Sequence, residues 1–147
     1  MRAPFQVLVF PYRIEAGRPL YAVLKRADDG AWQGVAGGGE ADETPEQAAA
    51  RELTEETGME TRELCRLDSV AYLPVASVTG SLIWGEDVRT IPEYCFGALA
   101  CDASIELSSE HVDAAWLPYE RARGVLAWGS NRAALGELHG RLLGGRC

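Results

Sequence analysis

The chain has 147 residues, a length that fits a single domain spanning 1–147. Its 47% apolar and 24% charged residues suit a folded domain and exclude wholesale disorder, while a net charge of −8 excludes a general binder of nucleic-acid polymers or anionic membranes. No apolar run approaches the ~20 residues that span a bilayer, and the run Val7 to Phe10 is shorter than a signal-peptide core, so the expected location is the cytoplasm.

In chain order, Phe5 to Tyr12 and Leu20 to Arg26 read as strands, with turn chemistry at Glu15 to Pro19 between them. Asp28-Asp29-Gly30 is a second turn. Trp32 to Ala36 is short and extended and leads into Gly37-Gly38-Gly39, which read as a sharp turn able to approach a ligand closely. A helix follows. Thr44 is its N-cap, Pro45 takes the first position, Gln47 completes a capping box and Gly58 is the stop. Leu67 to Val78 reads as one or two strands, Gly80 to Arg89 as a loop or hairpin, Glu93 to Ala100 as a strand and Val112 to Leu117 as a short strand ended by Pro118. Tyr119 to Leu126 and Arg132 to Leu143 are helical, with Asn131 as the expected N-cap of the latter. Strands mixed with a few helices give an α/β or α+β sandwich.

The four cysteines, at 65, 95, 101 and 147, form no C-x-x-C pair, and only His111 and His139 accompany them. That set offers no zinc spacing, so the expectation is free thiols in a reducing compartment.

The charge is polarised. Between Glu40 and Glu60 lie eight acids, opposed only by Arg51. On a helical wheel Glu52, Glu55 and Glu56 share a face, beside a packing stripe of Ala49, Ala50, Leu53 and Thr57. Like charges at these spacings destabilise a helix by ~0.2–0.5 kcal/mol per pair, and at its C-terminal half they also oppose the helix dipole. A solvated acidic face is the plain alternative. A divalent cation removes the penalty, and an all-oxygen ligand set points to Mg²⁺ or Mn²⁺.

Gly37, five residues, Glu43, seven residues, then Arg51-Glu52-Leu53-Thr54-Glu55-Glu56-Thr57-Gly58-Met59 resembles the complete Nudix box. The resemblance implies an α/β/α sandwich around a central mixed β-sheet. It also implies hydrolysis of a nucleoside diphosphate linked to another group, a small-molecule phosphate anhydride, with Mg²⁺ or Mn²⁺ held by box glutamates. By position, Glu52 and Glu56 are implied metal ligands, Glu55 a further ligand or orienting group, and Arg51 a partner for a box carboxylate. The carbonyl of Ala36 or Gly37 is a further candidate ligand. Trp32-Gln33-x-Val35-x-Gly37, Glu110-His111 four residues before Trp116-Leu117, Ser130-Asn131-Arg132, and Glu93-x-x-Phe96-x-x-Leu99 are similar to the dihydroneopterin triphosphate pyrophosphatases of folate synthesis within that family. That similarity makes Glu110 a further metal-binding carboxylate or a base candidate. The candidate catalytic and metal residues are thus Glu52, Glu55, Glu56 and Glu110. The candidate substrate contacts are Trp32, Gln33, Gly37 and Gly38.

Each of the other aromatic and polar residues has a plainer alternative. Trp32 and Gln33 fit either a heterocycle contact or a half-buried strand end. Trp84, Tyr72 and Tyr94 fit packing better than a base pocket, Trp116 fits the core, and His111 fits a role in ordering Glu110. The expected reaction is dihydroneopterin triphosphate to monophosphate plus pyrophosphate. The alternatives are a broad (deoxy)nucleoside triphosphate or dinucleoside polyphosphate hydrolase, an isomerase of an allylic diphosphate using Cys95, and a non-catalytic nucleotide-binding module. The expected assembly is a monomer or homodimer.

Overall fold

The computed structural model describes residues 1–61 and 63–147. Seven strands form one mixed sheet: β1 Arg2–Glu15, β2 Arg18–Arg26, β3 Trp32–Gln33, β4 Val35–Glu40, β5 Leu64–Pro74, β6 Thr90–Leu99 and β7 His111–Pro118. β1 is the hub. It pairs parallel with β6 along one edge, and antiparallel with β4 and then β2 along the other. β5 closes the sheet beyond β6, and β7 pairs with β2.

β1 is buried on both sides, which explains its unbroken apolar run. Val7 and Val9 point to one face, with Ala22, Leu24, Val35, Phe96 and Ala98. Helix α1, Pro45–Thr57, covers this face with Ala48, Ala49 and Leu53. Leu8, Phe10 and Tyr12 point to the other face, where Ala122 of α3 (Tyr119–Val125) and Ala134, Leu135 and Leu138 of α4 (Gly129–Leu143) close a second core. The result is the α/β/α sandwich expected. The packing stripe of α1 includes Ala48, which is fully buried, in place of Ala50.

Helix α1 begins and ends as its local signals dictate. The Thr44 side chain accepts from the Gln47 N–H, the Gln47 side chain accepts from the Thr44 N–H, and Gly58 caps the C-terminus at φ 73°.

Four expectations need correction. Gly37-Gly38-Gly39 is not a turn but the middle of strand β4, with no positive φ. Val75–Thr79 forms a short helix, α2, rather than strand, ended by Gly80 at φ 80°. Its two valines favour extended backbone, and Pro74 before it and Gly80 after it override that preference. Asn131 is not a cap: α4 starts at Gly129 with Trp128 as N-cap, and Asn131 lies in the first turn. Cys65 and Cys147 form a disulfide across 82 residues, so only Cys95 and Cys101 are free thiols. No helix among the described residues is long and apolar enough to cross a membrane.

Candidate active site

Packing the Ala49 and Leu53 stripe of α1 onto the sheet turns Glu52 and Glu56 inward and leaves Glu55 exposed. Glu52 and Glu56 are 9% and 3% exposed, burial that a carboxylate tolerates only with partners. The room comes from β4. A side chain at Gly37 would overlap the Glu52 carboxyl, one at Gly38 would meet the Arg2 guanidinium, and one at Gly39 would run into the Phe5 ring. The glycines therefore supply space, not flexibility. The Ala36 N–H donates to Glu56 Oε2 at 3.1 Å, fixing that carboxyl against the strand.

Arg51 is the internal counter-ion. Its guanidinium donates to Glu43 at 2.8 and 2.9 Å, to Glu52 at 2.9 Å, to Glu55 at 3.3 Å and to the Gly38 carbonyl at 2.9 Å. These bonds pull the Glu43 pKa down. Burial outweighs them at Glu52, whose pKa rises. Arg51 makes no bond to Glu56. Burial, the Glu52 charge and a hydrogen bond with Glu110 push the Glu56 acid up to about 9, so the metal-free protein carries a proton there at neutral pH. The structure thus brings Glu110, from the loop before β7, against a helix residue 54 positions earlier.

These groups border a cavity of about 760 Å³. Glu52, Glu55, Glu56 and Glu110 line it, as do Gln33, Gly37 and Gly38. Trp32 lies outside the lining. Its ring packs against the α3–α4 core, and its carbonyl accepts from the Ala127 N–H at 3.1 Å. His111 is buried beside Gln33, with Nε2 3.4 Å from the Gln33 amide nitrogen and Nδ1 without a partner among the described residues. Burial lowers its pKa, which keeps the ring neutral at pH 7. Asn131 accepts from the Gly34 N–H at 3.0 Å and so ties α4 to the strand segment behind the cavity. Of the other aromatics, Tyr72 is 69% exposed, Trp84 donates to the Arg2 carbonyl at 3.1 Å, and Trp116 donates to the Ala103 carbonyl at 2.9 Å.

Sequence reasoning missed Arg2, Gln6, Arg26 and Asp28, which also line the cavity. Arg26 is held by Asp28 at 2.6 and 2.9 Å, and Arg2 reaches the Gln6 amide oxygen at 3.5 Å. One signal was present. Arg2 and Gln6 share a strand face with Leu8 and Phe10, and polar residues on that face mark where the core gives way to a site.

Among the described residues, no three His, Cys, Asp or Glu side chains close on one point at coordinating distance. Arg51 occupies Glu52 and Glu55, and a proton occupies Glu56. The donor set nevertheless fits a hard divalent cation. It is all carboxylate and carbonyl oxygen, and Glu56 lacks any cationic partner.

A family model described as NUDIX domain matches residues 6–135. Among solved structures, one from Listeria monocytogenes assigned to the NUDIX hydrolases is similar at 36% identity and TM-score 0.86, covering 98% of this chain and 97% of that one. The E. coli dihydroneopterin triphosphate pyrophosphohydrolase is similar at 24% identity and TM-score 0.70, covering 91% and 93%. An Ap4A hydrolase from C. elegans is similar at 21% identity and TM-score 0.70, covering 97% and 99%.

Proposed function

The chain belongs to the NUDIX family and is a hydrolase of phosphoric anhydrides, and from that premise we propose that it is a Mg²⁺- or Mn²⁺-dependent pyrophosphohydrolase acting on a nucleoside-triphosphate-like small molecule. The first substrate we propose is dihydroneopterin triphosphate, cut to the monophosphate and pyrophosphate. One observation carries the reading. Glu52 and Glu56 from α1 and Glu110 from a distant loop converge at a cavity that also presents Arg2 and Arg26.

A triphosphate tail would be repelled by the acidic segment alone. A divalent cation held by Glu52, Glu56 and Glu110, with Glu55 at the exposed rim, would reverse that sign, polarise the phosphoryl group and make a water more acidic. The chain's own residues do the rest. Gly37 and Gly38 leave room for the Glu52 carboxyl and the Arg2 guanidinium beside the phosphate position. Arg2 and Arg26 offer guanidinium donors to phosphate oxygens, with Asp28 holding Arg26 in place. With a cation held there Glu56 would be ionised, and Glu110, exposed on its loop, would be the residue to receive a proton from water. Gln33, in contact with His111, offers an amide to the substrate's polar edge.

The test is a panel of dihydroneopterin triphosphate, (deoxy)nucleoside triphosphates, dinucleoside tetraphosphates and nucleotide sugars with Mg²⁺, ranked by kcat/KM. The pterin substrate ranking first supports the proposal. An ordinary nucleoside triphosphate outranking it by tenfold or more refutes that assignment but keeps the broader pyrophosphohydrolase. Binding without turnover of any member would overturn the catalytic reading.

A further inference from the structure

Among the described residues Glu93 is the one strongly buried acid that the proposed chemistry leaves unused. It is 6% exposed, and its Oε1 has no hydrogen-bond partner among the described residues. It sits on β6 in direct register with Gln6 of β1, so the two side chains leave the same sheet face one strand spacing apart, about 4.8 Å. Gln6 lines the cavity, and Glu93 stands one strand behind it, just outside the lining. At this level the row across the sheet runs Gly38, Gln6, Glu93, Ala71. Gln6 leans toward Gly38, where its amide oxygen meets Arg2, and so turns away from Glu93. Val78 of α2 lines the cavity above the same face.

An unpaired carboxyl oxygen in such a place is costly, because burial removes water without supplying a substitute. Burial alone pushes the Glu93 acid up to about 7, with no charged neighbour contributing. Core packing would be served as well by an apolar residue, as it is on the same face by Leu8, Phe10 and Cys95. A carboxyl there has a use if a ligand completes it.

We propose that Glu93 is a specificity residue that reads the substrate's ring, its carboxyl accepting two parallel N–H bonds from a 2-amino-4-oxopyrimidine edge that enters past Gln6, the neighbouring residue of the cavity wall. The match is geometric. A carboxylate presents two acceptors in one plane, and the edge shared by guanine and pterin presents a ring N–H beside an exocyclic NH₂. Adenine and cytosine each place a donor beside an acceptor there and leave one oxygen unpaired. The proposal rests on the hydrolase reading and narrows its substrate class.

The experiment compares dGTP with dITP, which lacks only the exocyclic amino group, and with dihydroneopterin triphosphate, in the wild type, Glu93→Gln and Glu93→Leu. The wild type should prefer dGTP to dITP by at least ~10-fold in kcat/KM, the lower bound for one charge-assisted hydrogen bond. Both variants should bring that ratio near one, with the loss in the KM of dGTP rather than in kcat. The ranking of dGTP against the pterin substrate identifies which ring is the natural source of the edge. A wild-type ratio near one overturns the proposal whether or not the variants fold, as does an unchanged ratio in active variants. If the wild type hydrolyses no anhydride, the hydrolase reading fails by itself. Calorimetric binding of GMP against IMP then decides the Glu93 proposal: tighter GMP supports it and equal binding overturns it.

Discussion

Glu56→Gln separates the cost of the buried acid from its use. Glu56 is 3% exposed and holds its proton up to about pH 9, against an ordinary 4.5. Between those values the unfolded chain has lost this proton and the metal-free native state keeps it. The unfolded state then binds fewer protons, so stability falls as pH rises, by up to about 1.4 kcal/mol per pH unit. From pH 5 to pH 8 the ceiling is about 4 kcal/mol, and relaxation around the ionised group reduces it to ~1–2 kcal/mol. Glutamine mimics the protonated acid. It can still accept from the Ala36 N–H and can donate to Glu110 where the proton stood. The expected outcome is a variant more stable than the wild type at pH 8 in EDTA, by about 4 °C in Tm, with the gap nearly closed at pH 5. With Mg²⁺ the same variant should lose at least ~100-fold in kcat, because a carboxylate at the cation site is gone. Thermal melts at the two pH values and a phosphate-release assay read both effects. A variant less stable at pH 8, or a gap that does not change with pH, refutes the reasoning.

Gly37→Ala would drive a methyl group into the Glu52 carboxyl. It should cost ~10–100-fold in kcat/KM, measured with Mg²⁺, while Gly140→Ala, a helix position with open space, leaves kinetics unchanged. Cys147→Ser opens a disulfide that closes 82 residues; the chain-entropy ceiling is about 4.5 kcal/mol, so a lower Tm with unchanged kcat is expected, and dithiothreitol should reproduce it in the wild type. Asn131→Ala strips the acceptor from the buried Gly34 N–H and should cost ~1–3 kcal/mol in urea unfolding, which Asn131→Asp, retaining an oxygen acceptor, partly restores.

What was legible in the sequence was local. The capping box, Pro45 and Gly58 act within one helix, so α1 could be bounded from residues alone. Strand β1 was legible for a similar reason, from its own apolar run and the turn residues that follow it. What depended on distant partners was not. The glycine run looked like a turn because glycine tolerates unusual backbone angles, but each glycine is there to leave room for Glu52, Arg2 or Phe5. Asn131 looked like a cap because its side chain suits one, but its oxygen went to Gly34, 97 residues earlier. Cys65 and Cys147 gave no spacing signal, because only the docking of α4 on β5 brings them together. Glu110 came into view through its resemblance to a family pattern, and no periodicity placed it against Glu56. Glu93 appeared only as part of a strand motif. That its carboxyl lies buried and unpaired depends on three strands meeting in register.

The arrangement of Arg51 explains why the site is both foldable and receptive. Eight acids in one stretch would oppose folding if all were left bare, and screening relieves only those near water. Arg51 spends its donors on Glu43, Glu52, Glu55 and a β4 carbonyl. That pins the loop before α1 to the helix and stabilises the fold without metal. Glu56, one turn further along the same face, makes no bond to Arg51, and burial keeps salt from screening it. A proton satisfies Glu56 at neutral pH, but it neutralises only one charge of the cluster. A divalent cation offers two charges to the same oxygens and can hold Glu52 as well. The chain thus neutralises the acids that fix its structure and leaves unneutralised those that an incoming cation can use.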